Sequence, residues 1–336
     1  NVRSSGSGRS LHLASFELLV PMMFIARKGT ALTRTGGHGG QANHAVVPVP
    51  DPRVEVLTEM ERSRKTVHAQ VGFVDVPGGT SSSQGIAKLR EADALAIVVR
   101  CFGPDAEPVS EVAEVRADLL LADQAVIEPA LEKAEKRAKG KRTPEVEALA
   151  AAHAALDAET PLSDARLSEE HRRELKQVAA LTIKPWVVVA NLEEGTDVPV
   201  GLPDGTVGVY ASIEAETAEM DAAEARALLD EFGVHEPGLE TVIRAGYRAI
   251  DLITFLTTGD DETRAWEVRS GAKAPEAAGV IHSDLERGFI RAEVISYDDL
   301  VAAGSMDAAK QQGKVRVEGK DYEVREGDIL HVRFAV

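Results

Sequence analysis

Two polar residues close runs of β-branched and aromatic side chains: Asp75 after Val71-Gly72-Phe73-Val74, and Asn191 after Trp186-Val187-Val188-Val189-Ala190. Each has a plain reading, an Asp that forms a turn and an Asn that caps one. Two carboxylates, Glu193 and Glu194, stand just past Asn191. Phosphate chemistry makes stricter demands. It asks for Gly-x-x-x-x-Gly-Lys-[Ser/Thr] at a helix N-terminus, where glycine amides cradle the phosphates, the Lys bridges them and the hydroxyl binds magnesium. No such string occurs. One near fragment is Gly6-Ser7-Gly8-Arg9-Ser10. The other runs over residues 20–33 and has Phe24 and Ile25 where Gly and Lys belong. Neither supports a phosphate site. The one cysteine, Cys101, can form no internal disulfide and no Cys-based zinc site, which predicts a reducing, cytoplasmic setting.

The elements that would position these residues follow from composition and period. A chain of 336 residues predicts two or three units, and 44% hydrophobic with 28% charged residues predicts a folded one. A net charge of −17 excludes a protein that wraps nucleic acid over most of its surface, but allows a local basic patch. The apolar run 16–26 carries Glu17 and Pro21 and is too short for a membrane span, so it reads as a buried strand or a distorted segment. Residues 71–75, 94–100 and 186–191 read as strands, the last two buried and parallel. Between the latter two, residues 109–177 are rich in Ala, Glu and Lys, with Leu119, Leu120, Ala122, Val126, Ile127 and Leu131 at helical spacing. This predicts an inserted hairpin of two long helices, turning at Lys139-Gly140-Lys141-Arg142-Thr143-Pro144. That turn holds the densest positive charge. It reads either as solvated surface or as an RNA or ribosome contact. Beyond Asn191 come a Gly/Pro loop, a short strand at 207–210 and helices near 221–231 and 238–250. From Leu252 the texture is mostly strands with one crossing helix, as in a β-grasp domain.

Three blocks, in order, resemble the YchF branch of the Obg-related P-loop NTPases. Val46-Val47-Pro48-Val49-Pro50-Asp51-Pro52-Arg53 is similar to the strand after switch I. Phe73-Val74-Asp75-Val76-Pro77-Gly78, followed by Leu89-Arg90-Glu91-Ala92-Asp93-Ala94 and Val98-Val99-Arg100-Cys101-Phe102, is similar to the DxxG strand, switch II helix and next strand. Residues 252–336 resemble that family's TGS domain throughout, including Ala274-Pro275-Glu276-Ala277-Ala278-Gly279 and Arg287-Gly288-Phe289-Ile290-Arg291-Ala292. The likeness covers about residues 43 to 336.

The resemblance implies an α/β fold: a P-loop NTPase-like, mostly parallel sheet with an inserted helical hairpin and a C-terminal β-grasp (TGS) domain. It divides the chain into a first G-domain part (1–108), the helical insertion (109–178), a second G-domain part (179–251) and the TGS domain (252–336). It implies magnesium with ATP or GTP, slow hydrolysis and work linked to the ribosome or its RNA, through the basic tip and the TGS domain, with no membrane partner. Asn191, Leu192 and Glu194 match the N-x-x-E base-reading pattern that favours adenine. Ala211 and Ser212 match a second base-side segment, with Ser212 in place of Lys. Asp75 and Gly78 match the pair in which the Asp holds the magnesium water shell and the Gly amide meets the γ-phosphate. Gly79 follows, where the family has a hydrophobic residue, and no catalytic residue is assignable. His282 reads as a structural or RNA-facing side chain. The missing phosphate loop leaves two accounts: a divergent chain that has lost hydrolysis, or a stretch that departs from the natural protein's sequence. A rival function follows from the first, an adaptor that keeps the G-domain shell and holds ribosome or protein partners without catalysis.

Overall fold

A computed structural model describes residues 23–27, 43–76, 79–217 and 220–335. Strands β1 (Met23–Arg27) and β2 (Asn43–Pro48) precede helix α1 (Pro52–Glu61), the short β3 (Thr66–Val67) and β4 (Gln70–Asp75). Helix α2 (Ser83–Arg90) and β5 (Ala94–Cys101) lead to an all-helical stretch of α3 (Pro108–Ala138), α4 (Pro144–Asp157) and α5 (Glu169–Leu175). Then come β6 (Trp186–Leu192), β7 (Val207–Val209), α6 (Ala211–Thr217), α7 (Ala222–Glu231) and α8 (Gly238–Ala249). The C-terminal part holds β8 (Leu252–Thr257), β9 (Thr263–Arg269), α9 (Ala274–Ile281), α10 (Ser283–Arg287), β10 (Phe289–Ser296), α11 (Tyr297–Ala303), α12 (Met306–Gln311), β11 (Arg316–Glu318) and β12 (Asp328–Phe334). These elements gather into two compact units, Asn1–Ala45 with Gly72–Val242 and Val46–Val71 with Ile243–Val336.

In the first unit the sheet order is β2-β4-β1-β5-β6-β7. β5, β6 and β7 are parallel, with Val98 opposite Val189 and Ala190 opposite Gly208. Their β-branched residues are covered on both faces, which is why the sequence shows unbroken apolar runs there rather than alternation. Of the apolar run 16–26, residues from Met23 onward lie in β1, which pairs antiparallel with β5 through Phe24 and Leu95. The remainder of that run falls outside the described residues.

The insertion departs from two matched long helices. α3 runs 31 residues, α4 only 14, and a third helix of 7 follows. Lys139 (φ 49°) and Gly140 (φ 81°) turn the chain left-handed at the tip. Thr143 then caps α4 by accepting from the Val146 amide at 3.3 Å. Ile127 and Ala134 of α3 pack on Ala148, Leu149 and Ala152 of α4. The arm's root is polar, with Asp123 fully buried at its centre. Asp123 accepts from Arg90 Nη1 (3.0 Å), the Leu181 amide (2.8 Å), and the amide (2.7 Å) and hydroxyl (2.8 Å) of Thr182. Lys184 donates to the carbonyls of Leu89, Arg90 and Ala92 at the end of α2.

The second unit is built on a sheet of order β11-β10-β12-β8-β9-β3. β8 with β9 and β10 with β12 are antiparallel, and β12 joins β8 in parallel. Phe255, fully buried, stacks on Trp266 at 6.4 Å between ring centroids. Four short helices stand where the sequence marked one. Three of them have 5 to 7 residues, too few to print a helical period. The two-residue β3 adds in parallel to β9. The Ser63 hydroxyl lies 2.7 Å from both the Gly259 carbonyl and the Thr263 hydroxyl. Arg53 forks onto Asp51 and also reaches Glu326, whose other oxygen accepts the Thr254 amide at 2.7 Å.

Candidate functional site

The C-terminal ends of the parallel strands β5, β6 and β7 share one edge, the place where open α/β sheets receive ligands. Asn191 is buried at the end of β6, opposite Arg100 of β5 and Val209 of β7. Leu192 is also buried, and its side chain lies over β7. A Cβ added at Gly208 would come within 2.8 Å of Leu192 Cδ1, so this close approach requires glycine. After Leu192 the chain turns. The Thr196 amide (3.1 Å) and hydroxyl (2.7 Å) both donate to the Glu193 carbonyl, and Glu194 sits half-buried within the turn.

The segment that the resemblance assigns to the base side meets this turn. Ala211 is buried at the head of α6, and Ser212 beside it is exposed. The hydroxyl of the preceding Tyr210 donates to the Thr196 carbonyl at 2.9 Å, tying the two segments together. Glu214, one turn on, is 3% exposed. Its carboxylate accepts from the amides of Gly238 (2.8 Å), Leu239 (3.4 Å) and Tyr210 (3.3 Å). Burial pushes this carboxyl above the usual range, against the pull of those amides. Neither Tyr210 nor Glu214 stood out as a site residue in the sequence. Only Ala211 and Ser212 marked the neighbourhood there.

Asp75, which the resemblance assigns to the phosphate side, ends β4 half-buried, with the two strands β1 and β5 lying between β4 and β6. Gly78 and the fragment 6–10 lie outside the described residues. The Gly79 amide donates to the Val76 carbonyl at 3.0 Å, and Ser82 caps α2 by accepting from Gly85. Thr80 donates to Asp118 of α3 at 2.5 Å. Among the described residues no three His, Cys, Asp or Glu side chains gather as a metal site. Magnesium carried with a nucleotide needs only one or two protein carboxylates besides phosphates and waters, and a single carboxylate at a strand end, such as that of Asp75, fits that demand.

The other singled-out residues do quieter work. His282 accepts the Asp284 amide at 3.1 Å as the cap of α10. Burial, with Glu111 near, pushes the Cys101 thiol up to about 11, so it is not an activated nucleophile. No helix among the described residues is long and apolar enough to cross a membrane.

Sheet order, helical insertion and the C-terminal sheet define a mixed α/β protein of the P-loop NTPase type with an added C-terminal domain. The chain is 38% identical to the ribosome-binding ATPase YchF of Bacillus subtilis (strain 168) over 88% of its length and 89% of that protein's. Against the protein of the same name from Escherichia coli O157:H7 it is 36% identical, over 88% and 90%. The solved Schizosaccharomyces pombe YchF GTPase superposes with a TM-score of 0.77 at 25% identity, covering 86% of this chain and 87% of that one. Residues 252–335 match the family described as YchF-GTPase_C, protein of unknown function (DUF933). The chain therefore belongs to the YchF family.

Proposed function

We propose that the protein binds ATP or GTP with adenine preferred, hydrolyses it slowly and acts on the ribosome. The observation that carries the nucleotide reading is the strand edge where Asn191 lies opposite Val209 and the turn holding Glu194 is tied, at Thr196, to the Tyr210 that precedes Ala211-Ser212. Glu194 and Leu192 stand in place of the Asp and Lys that select guanine. Asp75, with Gly78, is the phosphate-side group, and magnesium bound there with the nucleotide would offset phosphate charge. Ribosome association rests on relatives named as ribosome-binding ATPases and on the arm's tip. There Lys136 and Arg137 are held by Glu132 and Glu145, while Lys139, Lys141 and Arg142 are exposed. The C-terminal sheet is read as a TGS domain that shares in this contact.

Binding of labelled ATP, GTP and a non-hydrolysable analogue, each with magnesium, tests the assignment. Changing Glu194→Asp together with Leu192→Lys should move preference toward GTP. A wild type that already binds GTP more than tenfold better than ATP, about 1.4 kcal/mol, would show that this edge is not the base site. Ribosome co-sedimentation at rising salt reads the second half of the proposal. One observation favours a different reading, a non-catalytic adaptor: residues 24 and 25 are Phe and Ile inside strand β1 and cannot serve as phosphate-loop Gly and Lys. Binding of partners with no binding of any nucleotide would decide for it.

A further inference from the structure

We propose that Tyr210 is a specificity-determining positioning residue, whose hydroxyl holds the Glu194 turn and the Ala211-Ser212 segment at one fixed separation. The inference rests on the base-site reading above and adds to it the part that sets selectivity.

The two segments come from different strand ends, and each is weakly fixed by itself. The turn at 193–196 closes on its own short hydrogen bonds and is mostly exposed from Gly195 through Val198. The Ala211-Ser212 segment opens a helix of seven residues. Tyr210 Oη to the Thr196 carbonyl, 2.9 Å, spans between them. Tyr210 is itself held. Its amide donates to one oxygen of Glu214 at 3.3 Å, and the other oxygen accepts from Gly238 (2.8 Å) and Leu239 (3.4 Å) at the head of α8. Gly238 permits that approach, since a Cβ there would lie 2.6 Å from Glu214 Oε1 and 2.7 Å from Val209 Cγ1. The order of support therefore runs from the twelve-residue α8 through Glu214 to Tyr210 and on to the turn that carries Glu194.

Such an arrangement acts on discrimination more than on overall affinity. A purine is told apart by which donors and acceptors its edge meets, and a displaced hydrogen-bonding group loses the correct base without losing the wrong one equally. A phenylalanine at 210 would keep the ring and its packing and remove one hydrogen bond. The ring is half-buried, so the fold should tolerate the change.

The test uses full-length wild type, Tyr210→Phe and Glu214→Gln. Hydrogen exchange without ligand reads the turn, and fluorescent ATP and GTP analogues with magnesium read binding. For Tyr210→Phe we expect faster exchange in residues 193–198, with the rest of the first unit unchanged. The ATP-over-GTP affinity ratio should shrink by about three- to tenfold, and the melting temperature should move little. Glu214→Gln should produce the same pattern more weakly. A purely structural role would lower affinity for both nucleotides in step and leave their ratio within twofold, which would overturn the proposal. Unchanged exchange in the turn would overturn it as well, at the level of the clamp. Faster exchange in a protein whose wild type binds neither nucleotide would overturn the base-site reading, and the selectivity role with it.

Discussion

Asp123 at the root of the helical arm and Glu214 beside the strand edge are both almost wholly buried carboxylates, and the protein answers them differently. Asp123 meets a guanidinium, two amides and a hydroxyl. Glu214 meets backbone amides at a helix N-terminus. The first arrangement compensates charge with charge and joins three stretches of chain: α2, α3 and residues 181–182. The second relies on partial charges of peptide groups, which offset burial less completely, so the carboxyl is left with a raised pKa. Burial alone does not mark function. Asp123 belongs to the architecture of the arm. Glu214 is kept buried where it holds the segment that ends at Ser212.

Substitution should separate them. Asp123→Ala removes the carboxylate that pairs with Arg90 and leaves the amides of Leu181 and Thr182 unanswered in the interior, and we expect a loss of about 3–5 kcal/mol by urea denaturation. A loss below about 1 kcal/mol would erase the contrast, because the arm root would then be no more anchored than a surface.

The same junction should show in alkaline solution. Burial lowers Lys184 to about 8, below the lysine value near 10.4 of an unfolded chain. Between those values the unfolded chain binds the additional proton, so raising pH relieves the burial penalty and the native state gains. Wild type should gain roughly 2–3 kcal/mol relative to Lys184→Met across that window. A difference that stays flat from pH 7.5 to 10.5 would mean that Lys184 is not desolvated as its three carbonyl contacts imply.

Glu214→Gln should be the mildest, about 1 kcal/mol, since a neutral amide still offers an oxygen to the α8 amides. The sign with pH is definite. With its folded pKa raised, the native carboxyl keeps its proton after the unfolded one has lost it. The wild-type margin over the variant is therefore fully present below the ordinary glutamate value, and it falls as pH rises through the folded one. A margin that grew with pH would show that the amides, not burial, govern this group.

Much of this was legible in the residues. Val187-Val188-Val189 and Leu95-Ala96-Ile97 read as buried strands because β-branched runs are buried on both faces, and both pair in parallel as expected. The turn at Lys139-Gly140 was legible because Gly and Pro punctuate a helical period. Asp75 and Asn191 were found at strand ends, and both end their strands here apart from Leu192, which extends β6 by one residue. The exposed or buried fate of Leu192 was not legible, since it depends on Gly208 sixteen positions away lacking a side chain. Gly78 lies outside the described residues, so its place beside Asp75 is known from the motif alone.

The residues alone were enough to mark the buried parallel strands, the long helices, the sign and place of the basic tip, and the family through three ordered blocks. Those properties are local, carried by side-chain period and by strings of neighbouring residues. Packing of the folded chain set the rest: that Thr66-Val67 would join β9, that Asp123 would answer Arg90 and Thr182, and that Tyr210 would reach Thr196. Each of those bonds uses a common donor or acceptor, an amide, a hydroxyl or a carboxylate, that many residues offer. Which two of them meet is set by how packed elements bring distant backbone together, and no spacing along the chain records it.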